Sequence, residues 1–161
     1  FVRESMPRFG AIKAVEQSFT LSITTLDSPL VGIIDLVADL DGTPSVIDFK
    51  TAAAAYPKHE VVLSDQLTAY QLAEPHARQS ALCVLIKTKE PRIEWHIGSR
   101  GTAEMTDYLH KARHIAAQIA SGHFYRRPGR WCGYCDFLPV CTGDERGVQE
   151  TLVQVPPKNP S

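Results

Sequence analysis

The chain has 161 residues and a formal charge of −1 at pH 7, with 43% hydrophobic and 22% charged residues. That length suits one domain with a sizeable core, and near-neutral charge excludes a generally basic surface, so any nucleic-acid contact has to be local. No apolar run reaches the length of a membrane span and no signal peptide is legible, which points to a cytoplasmic protein with no membrane partner. The chain begins at Phe1 rather than Met, so residues 1–13 are expected to be a truncated lead-in.

Residues 14–24 alternate, with Val15, Gln17, Phe19, Leu21 and Ile23 on one face and Glu16, Ser18, Thr20, Ser22 and Thr24 on the other. This predicts a half-exposed strand. Residues 30–40 (LVGIIDLVADL) are apolar on both faces, as in a central strand covered on both sides. Asp41-Gly42 then supplies a turn, and residues 45–51 (SVIDFKT) return as the partner strand. A helix is expected over 59–73, and strands over 81–89 and 92–97, joined at Glu90-Pro91. A long helix from Thr102 to Ser121 carries Met105, Tyr108, Leu109, Ala112, Ile115, Ala116 and Ile119 as an apolar stripe, with Gly122 as its stop. The order strands, helix, strands, helix predicts an α/β (α+β) fold, a mixed sheet flanked by helices. Residues 14–125 form the core, 126–145 a basic and cysteine-rich segment, and 146–161 a Pro-rich, poorly packed tail.

In SVIDFKT, Asp48 and Lys50 share one strand face and Phe49 takes the other. The register set by Asp41-Gly42 places Asp35 opposite Asp48. Facing carboxylates repel, and the arrangement makes sense if a divalent cation lies between them. Mg²⁺ takes one or two carboxylates with water and phosphate oxygens, and the Phe49 backbone carbonyl is a further candidate ligand. Lys50 would orient the attacking water or stabilise charge on a phosphate. The bland alternative is a surface salt bridge at the mouth of a hairpin, with Pro44 lengthening the loop and shifting the register.

Gln66 and Tyr70 lie four apart on one helix face, placed to hold a phosphate, contact a base edge or brace the lysine, or simply to complete an amphipathic helix. Cys132-x2-Cys135-x5-Cys141 suggests an iron–sulfur or zinc site, either of which normally takes four ligands. Cys83, in an apolar strand, reads as a core residue. His110 and His114 share a helix face with Asp107 and Gln118, opposite the apolar stripe, and read as solvated. His123, Arg126, Arg127 and Arg130 form a local basic cluster suited to phosphate contact or to an exposed loop.

Taken together, Gly32-x-x-Asp35, Asp48-Phe-Lys50-Thr51, Gln66-x3-Tyr70 and the three cysteines resemble the PD-(D/E)XK nuclease superfamily. More narrowly, they are similar to its RecB/AddB-type branch, which includes iron–sulfur exonucleases. The match runs from about residue 14 to residue 142; each motif is weak alone, and the four in order are specific. The resemblance implies a restriction-endonuclease-like sheet, Mg²⁺- or Mn²⁺-dependent cleavage of DNA phosphodiesters, and a cysteine clamp on the C-terminal segment. It makes Asp35 and Asp48 the metal ligands, Lys50 the catalytic lysine, Gln66 and Tyr70 their support, and Glu16 a further candidate. It implies roles in DNA repair, recombination or phage DNA processing, while a helicase or recombination partner is not legible. The metal-binding histidine and first cluster cysteine that family members carry upstream do not occur in residues 1–13. The full-length protein is therefore expected to bind a [4Fe–4S] cluster that this chain holds weakly or not at all. The alternative is a DNA-binding module that keeps the fold and the cysteines but no longer cuts.

Overall fold

The computed structural model describes residues 3, 6–23, 29–123 and 125–153. They divide into two compact units, Phe1–Ala120 and Ser121–Ser161. The first is built on one sheet of five strands in sequence order: β1 (Phe9–Leu21), β2 (Leu30–Leu40), β3 (Thr43–Ala52), β4 (Gln79–Ile86) and β5 (Arg92–Gly98). The β3–β4 pair is parallel and the other neighbours are antiparallel. A parallel pair needs a crossover, and here it carries the helices Glu60–Leu63 and Asp65–Ala73.

The β2–β3 hairpin keeps the expected register, pairing Leu40 with Thr43 and Leu36 with Ile47. Asp41 and Gly42 both take left-handed backbone, at φ 50 and 78, which lets a two-residue turn follow the twist of the strands. Pro44 sits inside the ladder opposite Asp39 and does not displace it.

One sheet face packs against the crossover helices: Ile34, Val37, Val46, Leu82, Val84 and Ile86 meet Val61, Leu67 and Tyr70. The other face gathers Leu36, Ala38, Leu40, Ile47, Ala81 and Cys83, with Phe9 and Trp95 half covering them. The Arg8 guanidinium lies 4.8 Å above the Trp95 ring.

Three expectations are corrected. The first strand begins at Phe9 and ends at Leu21, while Thr24 lies outside the described residues. Its alternation also changes phase, so Ala14 packs inward and Val15 is 66% exposed. The cause is local: the ladder pairs Val15 with Leu36 and Gln17 with Ile34, and between them Glu16 takes φ 49. Across from it β2 changes phase at Asp35, with Ile34 and Val37 in one core and Leu36 in the other. Second, β2 is covered only in its later half, since Val31 and Ile33 are 71% and 54% exposed. Third, the helix expected over 59–73 is two helices, because Ser64 leaves helical backbone and its hydroxyl accepts the Leu67 N–H as a new N-cap.

The long helix spans Thr102–Ala120 and has no fully buried residue. In the second unit a 3-10 turn, Arg130–Tyr134, precedes helices Leu138–Thr142 and Glu145–Thr151. The expected loose tail is thus helical at its start, where the Asp144 carboxylate accepts the Gly147 N–H at 2.9 Å. No helix among the described residues is long and apolar enough to cross a membrane.

Candidate active site

Strand alternation brings Asp48 and Lys50 to the helix-covered face of β3. Asp48 is 1% exposed, and the Lys50 ammonium lies 2.8 Å from its Oδ2. That oxygen lacks a well-aligned hydrogen bond among the described residues, so charge rather than direction holds the pair. Burial pushes the Asp48 carboxyl up from its ordinary range; Lys50 opposes this and the nearby Asp35 charge adds to it. For Lys50 burial also works against the charge, but the Asp48 contact and the charges of Asp48, Tyr70 and Asp35 outweigh it, and its pKa rises. The two partners respond differently because the carboxylate is almost wholly dehydrated, whereas the ammonium keeps access to solvent.

The Ser64 cap starts the next helix so that Gln66 falls in its first turn and faces β3. Lys50 Nζ donates to Gln66 Oε1 at 2.9 Å, and Gln66 Nε2 donates to Tyr70 Oη at 2.7 Å. The Tyr70 hydroxyl is pushed up by burial, with the Gln66 contact opposing. Asp48, Lys50, Gln66 and Tyr70 therefore form one continuous polar chain from sheet to helix. A support that the sequence did not reveal lies behind it. The Phe19 ring meets Tyr70 edge-on, with centroids 6.1 Å apart. A Cβ added at Gly32 would lie 2.7 Å from that ring, so the glycine makes room for the aromatic that backs Tyr70.

Asp35 Oδ2 accepts the Phe49 N–H at 2.9 Å. The β2–β3 ladder runs no further than Leu36 and Ile47, so beyond it the Asp35 side chain takes over as acceptor. The N–H and C=O of an extended residue point to the same side of the strand, which puts the Phe49 carbonyl on the Asp35 side. The Asp35 charge is near enough to help raise the pKa of Asp48, Lys50 and Tyr70.

Glu16 is exposed, and no three His, Cys, Asp or Glu residues among the described residues gather as a metal-holding group. His110 and His114 are exposed on the long helix. In the second unit Arg126, Arg127 and Arg130 are exposed, with the Arg130 guanidinium 4.6 Å above the Trp131 ring. Cys132, Cys135 and Cys141 are free thiols, Cys132 half-buried and accepting the Gly129 N–H at 3.3 Å. Cys83 is buried in β4, and that burial pushes its thiol up to about 11, the state of a core cysteine rather than a ligand.

As a donor set, Asp35 and Asp48 fit a hard divalent cation, which needs one or two carboxylates and fills its remaining positions with water and phosphate oxygen. The observation that favours such an ion is the buried Asp48 carboxylate with a second acid, Asp35, near enough for its charge to act on it. The three cysteines fit a sulfur-seeking metal by chemistry but are not gathered as a ligand group.

A family model described as the PD-(D/E)XK nuclease superfamily matches residues 2–142. Comparison with curated proteins gives no match. Among solved structures, the chain is similar to "Crystal structure of SSO0001", with a TM-score of 0.52 and 21% identity over 80% of this chain and 59% of that one. The chain thus spans less than two thirds of that structure's length, and the likeness is one of fold. The mixed five-stranded sheet flanked by helices is restriction-endonuclease-like.

Proposed function

The chain belongs to the PD-(D/E)XK nuclease superfamily, and on that premise we propose that it is a divalent-metal-dependent deoxyribonuclease of exonuclease type. The observation that carries this reading is the chain Asp48–Lys50–Gln66–Tyr70 with Asp35 beside it. Asp35 and Asp48, with the Phe49 carbonyl, would hold Mg²⁺ or Mn²⁺. Such an ion, when bound, supplies Lewis-acid polarisation of the phosphate and a more acidic water.

The protein's own groups do the rest. The contact with Asp48 favours the charged form of Lys50. Lys50 therefore presents a positive charge where negative charge builds on the scissile phosphate. Gln66 accepts a hydrogen bond from the ammonium and so aims Lys50; Tyr70 fixes the Gln66 amide. Asp48, buried on the sheet, keeps the ammonium close to the carboxylates.

Arg126, Arg127 and Arg130 would contact DNA phosphates. Cys132, Cys135 and Cys141 would bind a [4Fe–4S] cluster or zinc if a fourth ligand is supplied, and no step of cleavage runs through that group. Repair, recombination or phage DNA processing, in the cytoplasm, is the setting this chemistry suits.

The test is cleavage of end-labelled single- and double-stranded DNA with Mg²⁺ or Mn²⁺, against chelator and against Asp48→Ala. Metal-dependent cleavage that Asp48→Ala abolishes, with DNA binding retained, supports the reading. Binding with no cleavage under any metal would instead favour a DNA-binding module, and unchanged cleavage by Asp48→Ala would show that other residues do the chemistry.

A further inference from the structure

Arg100 follows β5 in the loop before the long helix, and only 7% of its surface is exposed. Among the described residues it has no ion-paired carboxylate. Its Nε donates to Thr68 Oγ1 at 3.1 Å and its Nη1 to Ser80 Oγ at 2.9 Å. Its Nη2 donates to the carbonyl of Val61 and, at 3.3 Å, to that of Ser64. Burial lowers its pKa and the charge of Glu104 opposes this only in part, as expected for a cation removed from water with no carboxylate in direct contact. A buried charge satisfied only by neutral acceptors is costly, and this one is concentrated at a single joint of the fold.

That joint is where the Glu60–Leu63 helix ends and the Asp65–Ala73 helix begins. Val61 and Ser64 offer C-terminal carbonyls of the first helix, and Thr68 lies one turn into the second. Ser80 belongs to β4 and hydrogen-bonds on to the Gly98 carbonyl of β5. The planar fork of arginine meets all four acceptors at once, which a lysine cannot do. Gln66, two residues beyond Ser64, is the group that aims Lys50.

We propose that Arg100 is a positioning residue for the active site, setting the height and rotation of the helix that carries Gln66 and Tyr70 over the sheet that carries Asp48 and Lys50. Its activity arm rests on the nuclease reading; its structural arm does not. Arg100 acts through Gln66, which sets the form of the test.

The test compares Arg100→Lys, Arg100→Gln and Gln66→Ala, singly and combined, in the full chain. Arg100→Lys should lower kcat about tenfold or more, as misplaced groups do, with KM for DNA little changed. In a Gln66→Ala background the same substitution should cost less than about twofold further, because residues acting in series are not additive. A full, multiplicative loss in that background would overturn the proposal. Independently, NMR of Arg100→Lys should show shifts of the Gln66 side-chain amide and of the Lys50 ammonium. If both signals stay put, Arg100 does not position the site, whatever the activity. If the wild type cleaves nothing, the nuclease reading fails and the NMR result still decides the role of Arg100. If Arg100→Gln does not fold, Arg100→Lys, which keeps the charge, carries both arms.

Discussion

The Asp35 carboxylate accepts the backbone N–H of Phe49 at 2.9 Å, at the point where the β2–β3 ladder ends. One side chain thus terminates a strand pair and places a second acid beside Asp48. The two roles are separable, because an amide oxygen can accept the same N–H but ligates a hard cation poorly. Asp35→Asn should fold with near wild-type stability and lose metal-dependent cleavage. Asp35→Ala should also lose about 1 kcal/mol of stability with the hydrogen bond from Phe49. Chemical denaturation and a cleavage assay on both variants check this; an active Asp35→Asn would remove Asp35 from the site.

Tyr70→Phe keeps the ring that packs against Phe19 and removes the oxygen to which Gln66 donates. The stability loss should be about 1 kcal/mol or less, while turnover falls about tenfold or more as Lys50 loses its aim. Melting curves with single-turnover rates decide the matter. Full activity would make Tyr70 a packing residue.

Gly32→Ala would drive a methyl group into the Phe19 ring. Overpacking of this kind costs about 1–3 kcal/mol, and here the ring that backs Tyr70 would move, so activity should fall with stability. Adding Phe19→Leu should recover much of the stability but not the activity. Recovery of both would show that Phe19 has no part in holding Tyr70.

Asp41, in the β2–β3 turn, is held below the usual carboxylate range by its hydrogen bond from Arg8. A depressed carboxyl contributes stability above its unfolded value of about 3.9 and loses it as pH falls through the folded value. Asp41→Asn, which tolerates left-handed backbone, should therefore cost stability at pH 7 but not in strong acid. The side chain is 48% exposed, so the cost is about 1 kcal/mol at most. Urea unfolding at pH 7 and below pH 3 gives the two values, and an equal difference at both would exclude the ion pair as the cause.

The cysteines should sort by reactivity. Cys83, buried with its thiol pushed up to about 11, should resist alkylation in the native state. Cys132, Cys135 and Cys141, half-buried or exposed, should react readily when metal-free. Timed iodoacetamide labelling read by mass spectrometry tests this. Protection of those three after anaerobic iron loading, with a matching iron content, would support a cluster, and protection only by zinc would favour the alternative.

Short-range chemistry made part of this protein legible in its sequence. A two-residue Asp-Gly turn fixes hairpin register without help from elsewhere, so the pairing of β2 with β3 could be read from residues 30–51. The two-residue period of a strand put Asp48 and Lys50 on one face, and the helical period did the same for Gln66 and Tyr70. Tertiary contact decided the rest. The phase changes at Glu16 and Asp35 depend on one strand meeting the other, and neither alternation pattern contains the left-handed backbone of Glu16. Gly32 is explained by a ring thirteen positions earlier. Arg100 lies in an unremarkable loop sequence, yet it meets a carbonyl 39 positions away. Sequence periodicity records which face a side chain takes. It does not record which distant backbone group waits there, because that depends on how the chain closes on itself.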